Sequence, residues 1–463
     1  VAEPAPAPGR LLHILGLGFG LAGAVGGTIG AGILRTPGLV AAQLPSAPLV
    51  LTAWLAGGLY ALLGAVCTAE LAAALPRAGG WSVYAERAFG RRAALLVGWT
   101  DWLAHAIGLA WVATTVGELA QPLLPGAWGM SPLVIKGIAL ASLALFTAIQ
   151  LRGLRAGSAS QEWLSLAKAA ALLALVAGCL FWPLPLEARQ ALERSAVLAG
   201  PLPPVGAWQS LGGAAVLALQ AVITTYDGWA SPLYFAEEFS EPERDLPRSL
   251  IGGVLAVLAL YLLINGALLH VLPLPLLARA QLPAALAAQA LLGPAGGAVI
   301  TAVALVALLG LINTVVMAAP RILYGLGRTG LLPAFTTGVN PGGTPVAALL
   351  LTSGAASLLL LAGSFEQLLA MGAVLYVSLP LAGVAALMAL RQREPELARP
   401  FRCWAYPLPP LLIAAVSLAF LVGAAASAPL TCLTAAALAG LALPAGLLAA
   451  RLGWLAPPLN PAP

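Results

Sequence analysis

Charge is what this chain lacks. Only 8% of its 463 residues are Asp, Glu, Lys or Arg, against about a quarter in a soluble domain. With 60% hydrophobic residues and a mean hydropathy of +0.95, that shortage excludes a water-soluble domain and identifies a polytopic membrane protein. Lysine occurs only at Lys136 and Lys168, and histidine only at His13, His105 and His270. The four cysteines (Cys67, Cys179, Cys403, Cys432) have neither metal-binding nor redox spacing and read as small apolar residues within spans. There is no Walker loop, no zinc spacing and no Ser/His/Asp order, so no enzyme, metal site or cofactor is expected. The net charge of +5 does not mark a nucleic-acid surface, because the excess is arginine distributed by membrane topology.

What the chain has in abundance is long apolar runs. A helix needs about 20 apolar residues to span a bilayer. Twelve such runs are expected, roughly at 11–42, 48–74, 93–120, 132–151, 161–182, 207–236, 249–272, 297–321, 344–362, 367–390, 407–427 and 431–450. With the N-terminus placed inside, sixteen basic residues fall on the cytoplasmic side and four outside, while Arg35 and Lys168 lie within spans. This asymmetry predicts a multi-pass protein of the cytoplasmic (cell) membrane with both termini cytoplasmic. The first apolar run is too long, and too broken by glycine, for a cleaved signal, so it reads as a retained span. The whole chain, 1–463, forms one transmembrane domain. The outside stretch 183–206 is expected to be a surface loop. Within 273–294, Leu282–Leu292 is expected to form a short capping helix.

Two of the spans are interrupted at about their middles. The first break is Gly26-Gly27-Thr28-Ile29-Gly30-Ala31-Gly32; the second is Thr224-Thr225-Tyr226-Asp227-Gly228-Trp229. Unpaired backbone groups in lipid cost several kcal/mol each, so a break is tolerable only where it is buried in protein or lines a polar cavity. Paired discontinuous helices point to a transporter site at the bilayer midplane. A half-helix starting near Gly30 offers amides to an anion, and one ending near Gly26 offers carbonyls to a cation. Together the breaks suit a zwitterion: an α-carboxylate on the amides of Ala31 and Gly32, an α-ammonium on the carbonyls of Thr28, Thr224 and Asp227. The expected substrate-binding set is Thr28, Ile29, Gly30, Ala31, Gly32, Ile33, Thr224, Thr225, Tyr226, Asp227, Gly228 and Trp229. The second broken span follows the first by five spans, and that odd offset inverts it. A 5+5 inverted repeat is therefore expected, with 11–182 as the first repeat, 207–390 as the second, and two added helices over 407–450.

Ionisable residues inside spans are functional candidates by default. Lys168, in the fifth span, reads as a fixed cation, a proton-coupling group or simply a paired side chain. Asp101 and His105 are one helical turn apart and form either a structural pair or a proton relay. Asp227 could face a substrate ammonium or cap the half-helix that follows it. Arg35 is expected in the outer vestibule, Glu118 and Glu366 near outer ends, and His13 and His270 at span ends. Glu237–Arg248 reads as an inside charge cluster or a gate latch.

At this point a family resemblance is clear. Thr28-Ile29-Gly30-Ala31-Gly32-Ile33-Leu34 resembles a G-S-G-I-F segment. Ala69-Glu70-Leu71 through Pro76, Gly79-Gly80 and Tyr84 resembles A-E-L-x-x-x-x-P-x-x-G-G-x-Y. Tyr226-Asp227-Gly228-Trp229, Glu237-Glu238 and Pro242-Glu243-Arg244-Asp245-Leu246-Pro247-Arg248 are similar to Y-D-G-W…E-E-x-x-x-P-E-R-x-L-P-R. Arg321–Tyr324, Gly330–Pro333 and Gly343–Pro345 extend the match over nearly the whole chain. These motifs resemble the amino acid–polyamine–organocation superfamily, nearest its L-type amino acid transporter branch and bacterial relatives. The resemblance implies an all-α, twelve-helix, LeuT-like fold with helices 1 and 6 broken. It also implies secondary transport of amino acids by alternating access, through exchange or proton-coupled uptake, and Lys168 in the place of a sodium ion. The scarcity of mid-membrane charge favours neutral L-amino acids; a proton-coupled carrier of cationic amino acids or polyamines is the alternative, and a non-transporting sensor or channel-like protein a remoter one. Ala31 departs from the serine of many relatives, and Thr224 from an aromatic lid. The 121–131 stretch has no cysteine, so no disulfide-linked heavy chain is expected.

Overall fold

A computed structural model of the chain describes residues 11–30, 32–123, 131–200, 211–363 and 365–455. The main elements among them are helices α1 (Leu17–Thr28), α2 (Gly32–Gln43), α3 (Ala47–Ala74), α4 (Trp81–Phe89), α5 (Arg91–Ala120), α6 (Pro132–Leu151), α7 (Leu154–Phe181), α8 (Leu186–Ala199) and α9 (Leu211–Tyr226). A 3-10 segment, Ser231–Glu238, follows. Then come α10 (Pro242–Val271), α11 (Leu274–Arg279), α12 (Pro283–Leu292), α13 (Ala295–Arg328), α14 (Val346–Ala362), α15 (Phe365–Arg393), α16 (Leu408–Ser427), α17 (Pro429–Gly440) and α18 (Ala442–Arg451). Among the described residues, nine helical stretches are long and apolar enough to cross a bilayer; α1 and α2 together, bent by 47°, make a tenth. The protein is an all-helical polytopic membrane protein.

The long helices sort their residues by face. On α7, Trp163, Leu166, Leu173 and Phe181 are exposed, whereas Gln161, Ser165, Lys168 and Leu172 are buried. Lipid is the solvent that suits such an apolar outer face. At the centre, α1 is enclosed by α7, α10, α13 and the 3-10 segment. Close approach is set by missing side chains: a methyl on Gly20 would meet Ser249 Oγ at 1.9 Å, and one on Gly253 would meet Ala24 Cβ at 2.3 Å.

The first and last described segments lie at the same end of the bundle. Leu15 bridges to Phe239, Leu455 bridges to Pro333, and Leu11 packs on Ala78 and Tyr324. Arginines crowd this end. Arg91 donates to the Gly330 carbonyl at 3.1 Å, and Arg391 and Arg399 both pair with Glu70. At the other end, α11 and α12 pack against α2, and α8 against α11 and α12. The capping helix expected over 282–292 is α12. The expected loop at 183–206 is different: it contains helix α8, because Leu186–Ala199 is a run of good helix formers behind Pro185.

Candidate functional site

The first break is later and shorter than its glycines suggest. Ile29 N still donates to the Val25 carbonyl at 2.9 Å, so α1 continues to Thr28, and helix resumes at Gly32. The carbonyls at the end of α1 have lost their helical partners. Lys168 supplies new ones: its Nζ donates to Gly26 O at 2.6 Å and Ile29 O at 3.0 Å. The ammonium thus sits at the negative end of a helix, where a cation is favoured. Gly310 of α13 closes the lysine site; a methyl there would be 3.3 Å from Nζ. Thr28 O accepts from the Tyr261 hydroxyl at 3.1 Å, and the same hydroxyl reaches Thr225 O at 3.3 Å. One phenol of α10 therefore ties the two breaks together.

The breaks also touch directly. Gly228 has φ +100°, a conformation that side chains rarely adopt. A methyl on Gly228 would sit 2.2 Å from Gly27 O, and one on Gly27 would sit 2.7 Å from Gly228 O. Neither position tolerates a side chain, because backbone cannot yield as a side chain does. The chain past Gly228 does not resume as α-helix: it turns at 227–230 and winds as the 3-10 segment. Ala230 holds the N-cap position of that segment, three residues past Asp227, and no side chain caps it.

A cavity of about 30 Å³ lies beside the second break, lined by residues including Tyr60, Thr224, Tyr226, Asp227, Trp229 and Tyr376. It has room for a water or two but not for an amino acid. Of the expected binding residues, Thr224, Tyr226, Asp227 and Trp229 reach this cavity. Ile29 and Ile33 are fully buried, Gly30 and Gly32 pack against Leu311 and Thr225, and Ala31 lies outside the described residues. The Thr225 hydroxyl is 2.9 Å from that of Thr36, joining α9 to α2. The lining residues that were missed include two tyrosines: Tyr60 of α3, whose hydroxyl is 3.0 Å from Ser417 Oγ, and Tyr376 of α15. No motif marks either one. Only their recurrence as lone tyrosines inside apolar spans could have drawn attention.

Asp101 and His105 do pair. His105 Nδ1 lies 2.8 Å from Asp101 O and 3.2 Å from Asp101 Oδ1, and Tyr234 of the 3-10 segment donates to Oδ1 at 2.9 Å. Arg35 is exposed, and the Glu366 side chain lies outside the described residues. The Glu237–Arg248 run is more than a surface cluster. Glu238 is fully buried and pairs with Arg321, which also stacks 4.5 Å over the Phe235 ring. Glu237 pairs with Arg328 and accepts from Ala78 N at 3.0 Å. Among the described residues, no cluster of His, Cys, Asp and Glu could hold a metal ion.

A family model described as amino acid permease matches residues 16–437. The chain belongs to the amino acid permease family. Its relatives place it in the amino acid–polyamine–organocation superfamily, beside L-type transporters. It is 26% identical to the serine/threonine exchanger SteT of Bacillus subtilis (strain 168) over 407 residues, 87% of this chain and 89% of that protein. It is 29% identical to the b(0,+)-type amino acid transporter 1 of Oryctolagus cuniculus, over 84% of this permease and 78% of that one. With the Asc-type amino acid transporter 1 of Mus musculus, identity is 28% over 82% and 70% of the two chains. These relatives are transporters, so a non-enzyme is implied.

Proposed function

We propose that this permease carries neutral L-amino acids across the cytoplasmic membrane by alternating access, as an exchanger. The observation that carries this is the contact of two backbone breaks at Gly27 and Gly228, beside a cavity, inside a membrane bundle. The α-carboxylate would take the backbone amides of Ala31 and Gly32, and the α-ammonium the carbonyls of Thr224 and Asp227. Thr28 O has one lone pair left after Tyr261 and can share in this. Lys168 acts as a fixed cation that shapes the first break. The side chain of the substrate would meet Tyr60, Tyr376 and Trp229, which take over from the aromatic missing at Thr224. A cavity this small must widen to admit substrate, so α1, α3, the 3-10 segment and α10 would swing against α5, α6, α13 and α14. Exchange is favoured because SteT, which the chain matches over 87% of its length, is named an exchanger.

We infer twelve passes. On this count α1 with α2 is the first and α9 with the 3-10 segment the sixth, in two inverted sets of five with α16 and α17–α18 added. The crowding of arginine at the end that holds both described termini supports a cytoplasmic location for them. The lipid bilayer and the amino acid are the expected partners, and no disulfide-linked heavy chain is expected. One observation favours a second reading, transport of cationic amino acids or polyamines: the Asp227 carboxylate belongs to a cavity-lining residue. Uptake into proteoliposomes preloaded with unlabelled amino acid decides between the two. Efflux-dependent uptake of L-serine, L-alanine or L-leucine is expected; uptake of L-arginine or putrescine alone would overturn the neutral reading.

A further inference from the structure

The Asp101–His105 pair stands outside the site just described, and its geometry is that of a latch. Asp101 is completely buried and the imidazole nearly so. The second carboxyl oxygen, Oδ2, lies against the Gly80–Trp81 turn with no hydrogen bond of normal geometry. The first oxygen, Oδ1, holds Tyr234, which belongs to the inner half of the broken second span. The imidazole is itself sandwiched, with the Tyr234 ring at 4.9 Å and the Tyr376 ring at 5.4 Å. Tyr376 and Asp227, the other titratable groups that face it, both line the cavity. The cluster therefore joins three things: the packed helix α5, a segment that must move in the transport cycle, and the wall of the cavity.

We propose that the His105–Asp101 pair is a proton-binding latch that couples the position of the 3-10 segment to protonation. This inference rests on the transport reading. Sealed from water, the pair without its added proton carries a buried net negative charge, which is costly. One proton taken from solvent onto the imidazole makes it an imidazolium–carboxylate pair of net charge zero. Closure of the 3-10 segment, with Tyr234 donating to Asp101, therefore favours the protonated pair. When the segment swings out, Asp101 loses the tyrosine and gains water, and the proton is released to the side that has opened. Binding of the proton and closure are then linked, each favouring the other.

The test uses purified full-length protein in liposomes, with whichever of L-serine, L-threonine, L-alanine or L-leucine the wild type exchanges fastest. The KM for exchange is measured at equal pH on both sides, from about pH 5 to about pH 8, where histidine changes charge. The wild type is expected to show a pH-dependent KM. His105→Gln, which keeps a hydrogen-bond donor but does not titrate, is expected to exchange with a flat KM. Tyr234→Phe keeps both titrating groups and cuts the tie, so its KM profile should move along the pH axis. A flat wild-type profile, or a wild-type profile in His105→Gln, overturns the latch alone. If His105→Gln does not fold, an unmoved profile in Tyr234→Phe overturns the latch and a moved one supports it. No exchange of any of the four probes would bring down the transport reading and the latch together.

Discussion

Lys168 shows why a charge can persist in a span. Its ammonium lies against two carbonyls that the end of α1 leaves without helical partners, so the lysine and the break each satisfy the other. Removing the charge exposes both defects at once. Lys168→Met keeps the length and bulk of the side chain but leaves Gly26 O and Ile29 O unpaired in a water-poor interior. An unsatisfied buried group costs about 1–3 kcal/mol, or roughly ten- to a hundredfold in an equilibrium. Exchange by Lys168→Met is therefore expected to fall by about tenfold or more, with a lower melting temperature, as read from initial rates per unit of incorporated protein and from thermal melts. Unchanged exchange, with an unchanged response to a pH gradient, would show that the lysine neither braces the break nor couples protons.

At the scale of elements, the second broken span is where sequence and structure part most. The first break was legible because glycines stand where helix gives way to irregular backbone, and Lys168 because a charge in an apolar run must have a partner. The direct contact between the two breaks, at Gly27 and Gly228, was not expected; the sequence suggested only that both serve one zwitterion. The 3-10 winding of Ser231–Glu238 was not legible, since nothing in its composition separates it from an α-helix; tertiary ties decide it. Leu15 N donates to Glu238 O at 2.9 Å, Ser240 N donates to Leu15 O at 2.9 Å, and Arg321 grips the Glu238 carboxylate. Tyr60 and Tyr376 were likewise hidden, because their roles come from helices far apart in sequence. The Glu238–Arg321 pair anchors the 3-10 segment to α13, and both side chains are almost fully buried. Removing one partner of a buried pair costs about 3–5 kcal/mol, because the other charge is stranded. Glu238→Ala is accordingly expected to melt earlier and to favour the state open at the arginine-rich end. A cysteine replacing fully buried Leu233, in a background without native thiols, should then react faster with a maleimide reagent than it does beside an intact Glu238. Equal labelling rates would mean that the ion pair does not hold this end closed.

For the whole molecule, the question is how the bundle sits in its membrane. Leu15 beside Phe239 and Leu455 beside Pro333 put both described chain ends on one side of the protein. The stretch between two ends on the same side crosses an even number of times, as the proposed twelve crossings require. Charge supports the proposed orientation: arginine is retained on the cytoplasmic side during insertion, and the end with the described termini is the one crowded with arginine. Helix α8 marks the opposite face, packed on α11 and α12 with Val197 80% exposed. Trp454 is 62% exposed at the arginine-rich end. In a thiol-free background, Val197→Cys should react with a membrane-impermeant maleimide in intact cells, and Trp454→Cys only in inverted vesicles. If both were labelled from the same side, the even count of crossings would fail. If the sides were exchanged, the count would stand and the inside assignment of the arginine-rich end would fall.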